Sequence, residues 1–317
     1  MLLYLLSLCR RSGHMFFAVA KVMLPVMLGV EIAQRWGLIQ VAGHFIAPGM
    51  ALLNLPPEAG LVWISTVFIG TYGGIATLVA VSSSIHLSLG QLNALCVMIL
   101  IAHSIPVEQA IVRAAGASFS ATAALRLGVA LLYGAAVAWL SQLTGLMTEP
   151  VSLTWLQGSG SVQVAATGGG YWAWIQSTAT TMLMLLAIIF VLALLLDTLE
   201  RLRITPRITA LLSPLLKLSG LDSRVTPVTT VGVLLGLTYG GALIIEAAKK
   251  HQLDARARFL ALAWLSLSHG LIEDTIVVLA LGANVWIVLV GRLAITMLVV
   301  ALLAKFTYRK LIPGFAP

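Results

Sequence analysis

A histidine, an acidic residue and an arginine stand in apolar sequence in the same order twice. His103 is followed by Glu108 and Arg126, and 166 residues later His269 is followed by Asp274 and Arg292. Ser104, Ser268 and Glu273 stand beside them. Imidazoles and carboxylates at matched positions can coordinate a cation or pass protons, because an unperturbed imidazole titrates near pH 6.5. The same pairing suits a borderline divalent metal, whereas paired guanidinium groups suit an anionic solute. The residue types alone leave these three chemistries, and the identity of any metal, open. No nucleophile–base pair and no HExxH-type motif accompanies them, so no catalytic residues and no enzyme are expected. No ATP-binding loop is visible, no cofactor is implied, and any transport must run on an ion gradient or downhill.

The repetition extends further. Thr71-Tyr72-Gly73-Gly74 returns as Thr238-Tyr239-Gly240-Gly241, at an interval of 167. Glu31 matches Asp197, Arg35 matches Arg201 and Pro48 matches Pro214. Duplication of this kind defines the architecture before any local reading does.

The groups lie in a setting that is 60% hydrophobic and only 9% charged, against about 25% charged in soluble domains. Several apolar stretches are long enough to span about 30 Å of hydrocarbon at 1.5 Å per helical residue. The expected class is therefore an all-α polytopic membrane protein whose main partner is the lipid bilayer. Cys9 and Cys96 offer neither a disulfide framework nor metal-ligand spacing. The net charge of +8 reports membrane orientation and not nucleic-acid binding, because it is clustered. Arg10 and Arg11 precede the first apolar segment; Arg201, Arg203, Arg207, Lys217 and Arg224 form one cluster, Lys249, Lys250, Arg256 and Arg258 another, and Lys305, Arg309 and Lys310 lie near the end. Residues 144–171 contain no Lys or Arg. The basic clusters and both termini are expected on the cytoplasmic side of a bacterial inner membrane, and 144–171 outside. The short apolar run Leu2–Leu8 precedes its charges instead of following them, and reads as a retained lead-in, not a signal peptide.

Crossings follow at 15–35, 91–113, 119–142, 173–197, 259–281 and 285–305. Residues 36–57 read as an amphipathic external segment with a turn at Asn54-Leu55-Pro56-Pro57. The stretch 225–248 is flanked by basic clusters on both sides, so it should enter and leave on one face as a re-entrant hairpin with its tip at Thr238–Gly241. Its counterpart 59–81 should do the same from the other face. The organisation is a first repeat over 1–143, an external linker over 144–172 and a second repeat over 173–317. Each repeat has three crossings and one glycine-broken hairpin. Three is odd, so the second repeat inserts upside down.

Inverted repeats whose broken helices meet at mid-bilayer point to a transport site. Backbone that leaves helical geometry in a membrane must be buried in protein or line a cavity. Arg126 and Arg292 each lie about eight residues, or roughly 12 Å, into a crossing, where an ionisable group costs from about 2.5 kcal/mol upward unless it is partnered. The expected pairs are Glu108 with Arg126, and Glu273 or Asp274 with Arg292. The alternative for each feature is structural: core histidines donating to carbonyls, ion pairs that hold two crossings together, and glycines that serve close packing.

With its Gly70-Thr71-Tyr72-Gly73-Gly74 segment, the Gly236–Gly241 segment and the two histidine stretches, the chain resembles the Gate, or "nucleoside recognition", domain family. That family includes the spore maturation proteins A and B and the membrane part of ferrous-iron transporter B. The resemblance covers about 15–143 and 173–306 as two fused modules. It implies a membrane transporter or permease for a small solute or ion, or alternatively a scaffold of the spore-maturation type. No GTPase domain is visible, and the cysteine associated with iron passage in that family has no evident counterpart, since Cys96 is not repeated. The sequence leaves assembly into a homo-oligomer open.

Overall fold

In the computed structural model, residues 38–153, 204–237 and 254–308 are described throughout, together with Trp36, Leu202, Ile244, Ile245 and scattered residues between 8 and 32 and between 172 and 198. The crossings expected at 15–35 and 173–197, and the tip Thr238–Gly241, lie largely or wholly outside the described residues. The described residues are helical, with a single isolated bridge between Ser88 and Pro150.

The chain divides into two compact units that do not follow the expected halves. One is Met1–Leu92 with Ala138–Leu202, and the other is Asn93–Val137 with Arg203–Pro317.

In the first unit, α1 (Leu38–Leu52) turns through 91° into α2 (Pro57–Ile69). The turn holds Asn54 at φ 56°. Pro57 at the first position of α2 suits a helix start, where its missing N–H is no loss. α2 ends at Gly70, whose φ of 113° is a conformation open chiefly to glycine. The chain then reverses into α3 (Thr71–Val81), and Gly74 comes to lie against Thr66 and the Val62 carbonyl. α2 and α3 thus pack on one another about a break at Gly70, and not at the expected Thr71–Gly74. Gly73 and Gly74 sit inside α3, where they let its backbone approach α2. α4 (Leu89–Ile101) begins on a reciprocal cap, with Gln91 N–H donating to Ser88 Oγ at 3.2 Å and Ser88 N–H to Gln91 Oε1 at 3.1 Å.

The second unit is built on two broken helices. α4 and α5 (Ile105–Ala114) together occupy Leu89–Ala114, and α9 (Ala255–Ser268) and α10 (Glu273–Ala280) together occupy Ala255–Ala280. Asp254 caps α9 through the Ala257 N–H. These two spans are two-thirds buried, whereas α6 (Phe119–Thr144) is 39% buried and α11 (Arg292–Tyr308, entered through a π-helical turn Trp286–Gly291) only 28%. The broken helices thus form the interior, as helices apolar all round must. α6 and α11 expose Leu132, Trp286, Val290, Leu298 and Leu302. At 22 to 26 residues, all four are long enough to cross a bilayer. α6 meets α11 where Tyr133 O–H donates to the Ile287 carbonyl at 2.8 Å, over the space left by Gly291. α7 (Ile204–Leu218) and α8 (Thr226–Leu235) complete this unit, and α8 ends at Gly236 with φ 101°.

One interval runs through the backbone. Leu38–Leu52 and Ile204–Leu218 are the same length 166 residues apart, with Pro48 and Pro214 at equivalent points. Residues of positive φ recur at that spacing: Asn54 and Gly220, Gly70 and Gly236, Ser104 and Gly270, Gly116 and Gly282.

Candidate functional site

The site lies in the second unit, where its two interior helices break. α4 stops at Ile101, and Ala102 and His103 lead to Ser104 at φ 49°, ψ 34°. Pro106 then falls in the first turn of α5, so it starts a helix and does not kink one. α9 stops at Ser268, His269 is extended, and Gly270 takes φ 59° before α10 begins at Glu273. The second break is also tied to α8, because Leu271 N–H donates to the Val233 carbonyl at 3.0 Å.

A broken helix frees carbonyls that a membrane interior cannot hydrate. The two arginines take them up. Arg126 Nε donates to Ile101 O at 2.7 Å and its Nη2 to His103 O at 2.9 Å. Arg292 Nε donates to Leu267 O at 2.9 Å and its Nη2 to His269 O at 3.1 Å and to Leu100 O at 2.9 Å. Both guanidinium groups are fully buried. Their fixed fork of donors suits the work better than a lysine ammonium would. A histidine and the residue two before it receive the same two nitrogens in each case.

The imidazoles are oriented by the helices they follow. His103 Nδ1 lies 3.1 Å from Ile99 O, and His269 Nδ1 lies 2.7 Å from Leu265 O. A carbonyl only accepts, so each Nδ1 carries the proton and each Nε2 of the neutral ring presents a lone pair. The two Nε2 atoms face one another at 3.0 Å. Each is 3.1 Å from Glu108 Oε1. The other carboxylate oxygen, Oε2, receives Arg126 Nη1 in an ion pair. His103, His269 and Glu108 thus bring three donor atoms within 4.8 Å of one another.

The matched carboxylate is placed differently. Asp274 Oδ2 stands 4.0 Å from His103 Nε2. Asp274 is one methylene shorter than Glu108, and its carboxylate packs over Gly270. The expected ion pair of Glu273 or Asp274 with Arg292 is not made: Arg292 Nη1 has no hydrogen-bond partner among the described residues. The expected Glu108–Arg126 pair is made.

No family model matches the chain, and no solved structure does. The chain is 25% identical over 308 residues to YvoD of Bacillus subtilis (strain 168), which is described as an uncharacterized membrane protein; the similarity covers 94% of this chain and 93% of that one. This chain, too, is a membrane protein.

Of the remaining residues singled out from sequence, Ser268 hydrogen-bonds Thr296 at 2.8 Å and belongs to the packing of α9 on α11. Ser104 supplies the left-handed turn. Glu273 heads α10, half-buried. Thr71, Tyr72, Gly73 and Gly74 belong to the first unit, and Thr238, Tyr239, Gly240 and Gly241 lie outside the described residues. Sequence reasoning missed that the arginines cap carbonyls. The signal available was a buried-depth arginine at a constant spacing after each histidine. The weakening of the helix after His103 was legible from Pro106, whereas the break at His269 was missed although Gly270 marked the place.

Proposed function

We propose that the protein is a transporter of the bacterial inner membrane that moves a small solute or ion past His103, His269 and Glu108. The observation that carries this reading is the pair of facing imidazoles beside a buried carboxylate, placed where two membrane-length helices break. A purely structural core has no use for three lone pairs aimed at one point, because each would be better satisfied by a separate donor. Breaks of this kind in paired helices are what transport sites in membranes are built from. In this reading residues 1–143 and 173–317 are inverted repeats joined by an external 144–172, both termini are cytoplasmic, and α2–α3 and the segment from α8 onward are the re-entrant hairpins. The recurrence of left-handed residues at one interval supports the repeats.

The test is flux into proteoliposomes holding the purified protein. The panel contains ferrous, zinc and manganese ions, nucleosides and small organic anions, each with and without a proton gradient. Flux of one class that vanishes in the double variant His103→Gln, His269→Gln is the expected result. No flux of any solute would favour a membrane scaffold instead.

A further inference from the structure

We propose that His103 Nε2, His269 Nε2 and Glu108 Oε1 form the binding site of one divalent first-row transition-metal ion, with Asp274 within reach as a fourth ligand. The inference deepens the transport reading by naming the class of ion at its centre, and rests on that reading only for the ion's role as cargo.

Three observations lead there. The first is the proton inventory. With both Nδ1 atoms committed to carbonyls and both rings neutral, the centre holds two imidazole lone pairs and a carboxylate oxygen, with no hydrogen between any two of them. Like partial charges at about 3 Å repel, so the arrangement calls for a positive charge at its middle. One shared proton joins a single pair and leaves the third acceptor unsatisfied. Two protons set two imidazolium charges side by side, next to Arg126. A metal ion satisfies all three atoms at once.

The second is distance. Atoms separated by 3.0, 3.1 and 3.1 Å share a centre about 1.8 Å from each, so an ion with bonds of about 2.0–2.1 Å sits roughly 1 Å out of their plane. That is one face of a coordination polyhedron. Asp274 Oδ2, 4.0 Å from His103 Nε2, is the carboxylate oxygen at hand for one of the remaining positions.

The third is support. Each ligand is held by its other polar atom: His103 by Ile99 O, His269 by Leu265 O and Glu108 by Arg126. Metal-ligating histidines and carboxylates are held in this way, and the outer partner fixes the tautomer and the ring angle. Two imidazoles and one carboxylate select borderline ions such as zinc or ferrous iron over magnesium and calcium, which prefer oxygen ligands.

The experiment uses the full chain purified in detergent, stripped of metal and titrated with zinc. We expect one zinc per chain, and an X-ray absorption spectrum with nitrogen and oxygen neighbours at about 2.0–2.1 Å and the multiple-scattering pattern of imidazole. Excess magnesium or calcium should not displace it. The His103→Gln, His269→Gln variant should bind at least about 100-fold more weakly, beyond the 10–100-fold typical of a lost outer-shell partner. Circular dichroism and elution volume establish that the variant remains folded. Absence of stoichiometric zinc, a spectrum without imidazole, or equal binding by the folded variant would each overturn the proposal. The flux assay separates the two ideas. Zinc bound at this centre but never moved would overturn the transport reading and leave the site standing. Flux of another solute by a chain that binds no zinc would do the reverse.

Discussion

At the scale of single residues, the two breaks use the same backbone conformation with different side chains. Ser104 and Gly270 occupy equivalent left-handed positions, and only Gly270 is free of the penalty that a Cβ brings there. Ser104→Gly should therefore leave the fold intact and raise its stability by up to about 1 kcal/mol. Gly270→Val should cost about 1–3 kcal/mol, because its Cβ also meets the Asp274 carboxylate. Thermal unfolding in detergent reads both, and an equal loss in the two variants would show that the serine hydroxyl does something the glycine cannot. The site was partly legible from sequence at this scale. Matched His, acidic residue and Arg named the participants, and Glu108–Arg126 was paired correctly. The failure of Asp274 to pair with Arg292 was not legible, because one methylene of reach decides it and residue class does not record reach.

At the scale of elements, α2 and α3 show how small residues set the distance between helices. Gly74 faces Thr66 and the Val62 carbonyl, so Gly74→Leu forces the hairpin apart and should destabilise it by about 1–3 kcal/mol or more. Gly128 on α6 has no neighbour within 4 Å, so Gly128→Leu is the matched control and should be neutral or better. Comparing the melting midpoints of the two variants checks the claim, and equal behaviour would remove Gly74 from the packing. Four of the expected crossings agree with helices to within a few residues, since apolar length is written directly in composition. The break was misplaced to Thr71–Gly74 because a glycine needed for φ and a glycine needed for closeness look alike in sequence. Only the backbone tells that Gly70 is the first kind and Gly74 the second.

At the scale of the whole molecule, the charge distribution makes a claim that labelling can check. A cysteine introduced at Ser161 should react with an impermeant thiol reagent from outside the cell, and one at Ser223 should not; the opposite pattern would contradict the inverted arrangement. The repetition was legible from sequence, but the division into compact units was not, because the units take segments from both expected halves. His103 meets His269, its own counterpart, through the same atom. Contact of a residue with its equivalent marks an isologous interface, the kind that relates two identical subunits across a two-fold axis. A chain of half this length would need two copies of itself to build the same centre. Once both copies share one chain, each is free to change alone, and a glutamate at one position with an aspartate at its counterpart is a difference that two identical subunits could never carry.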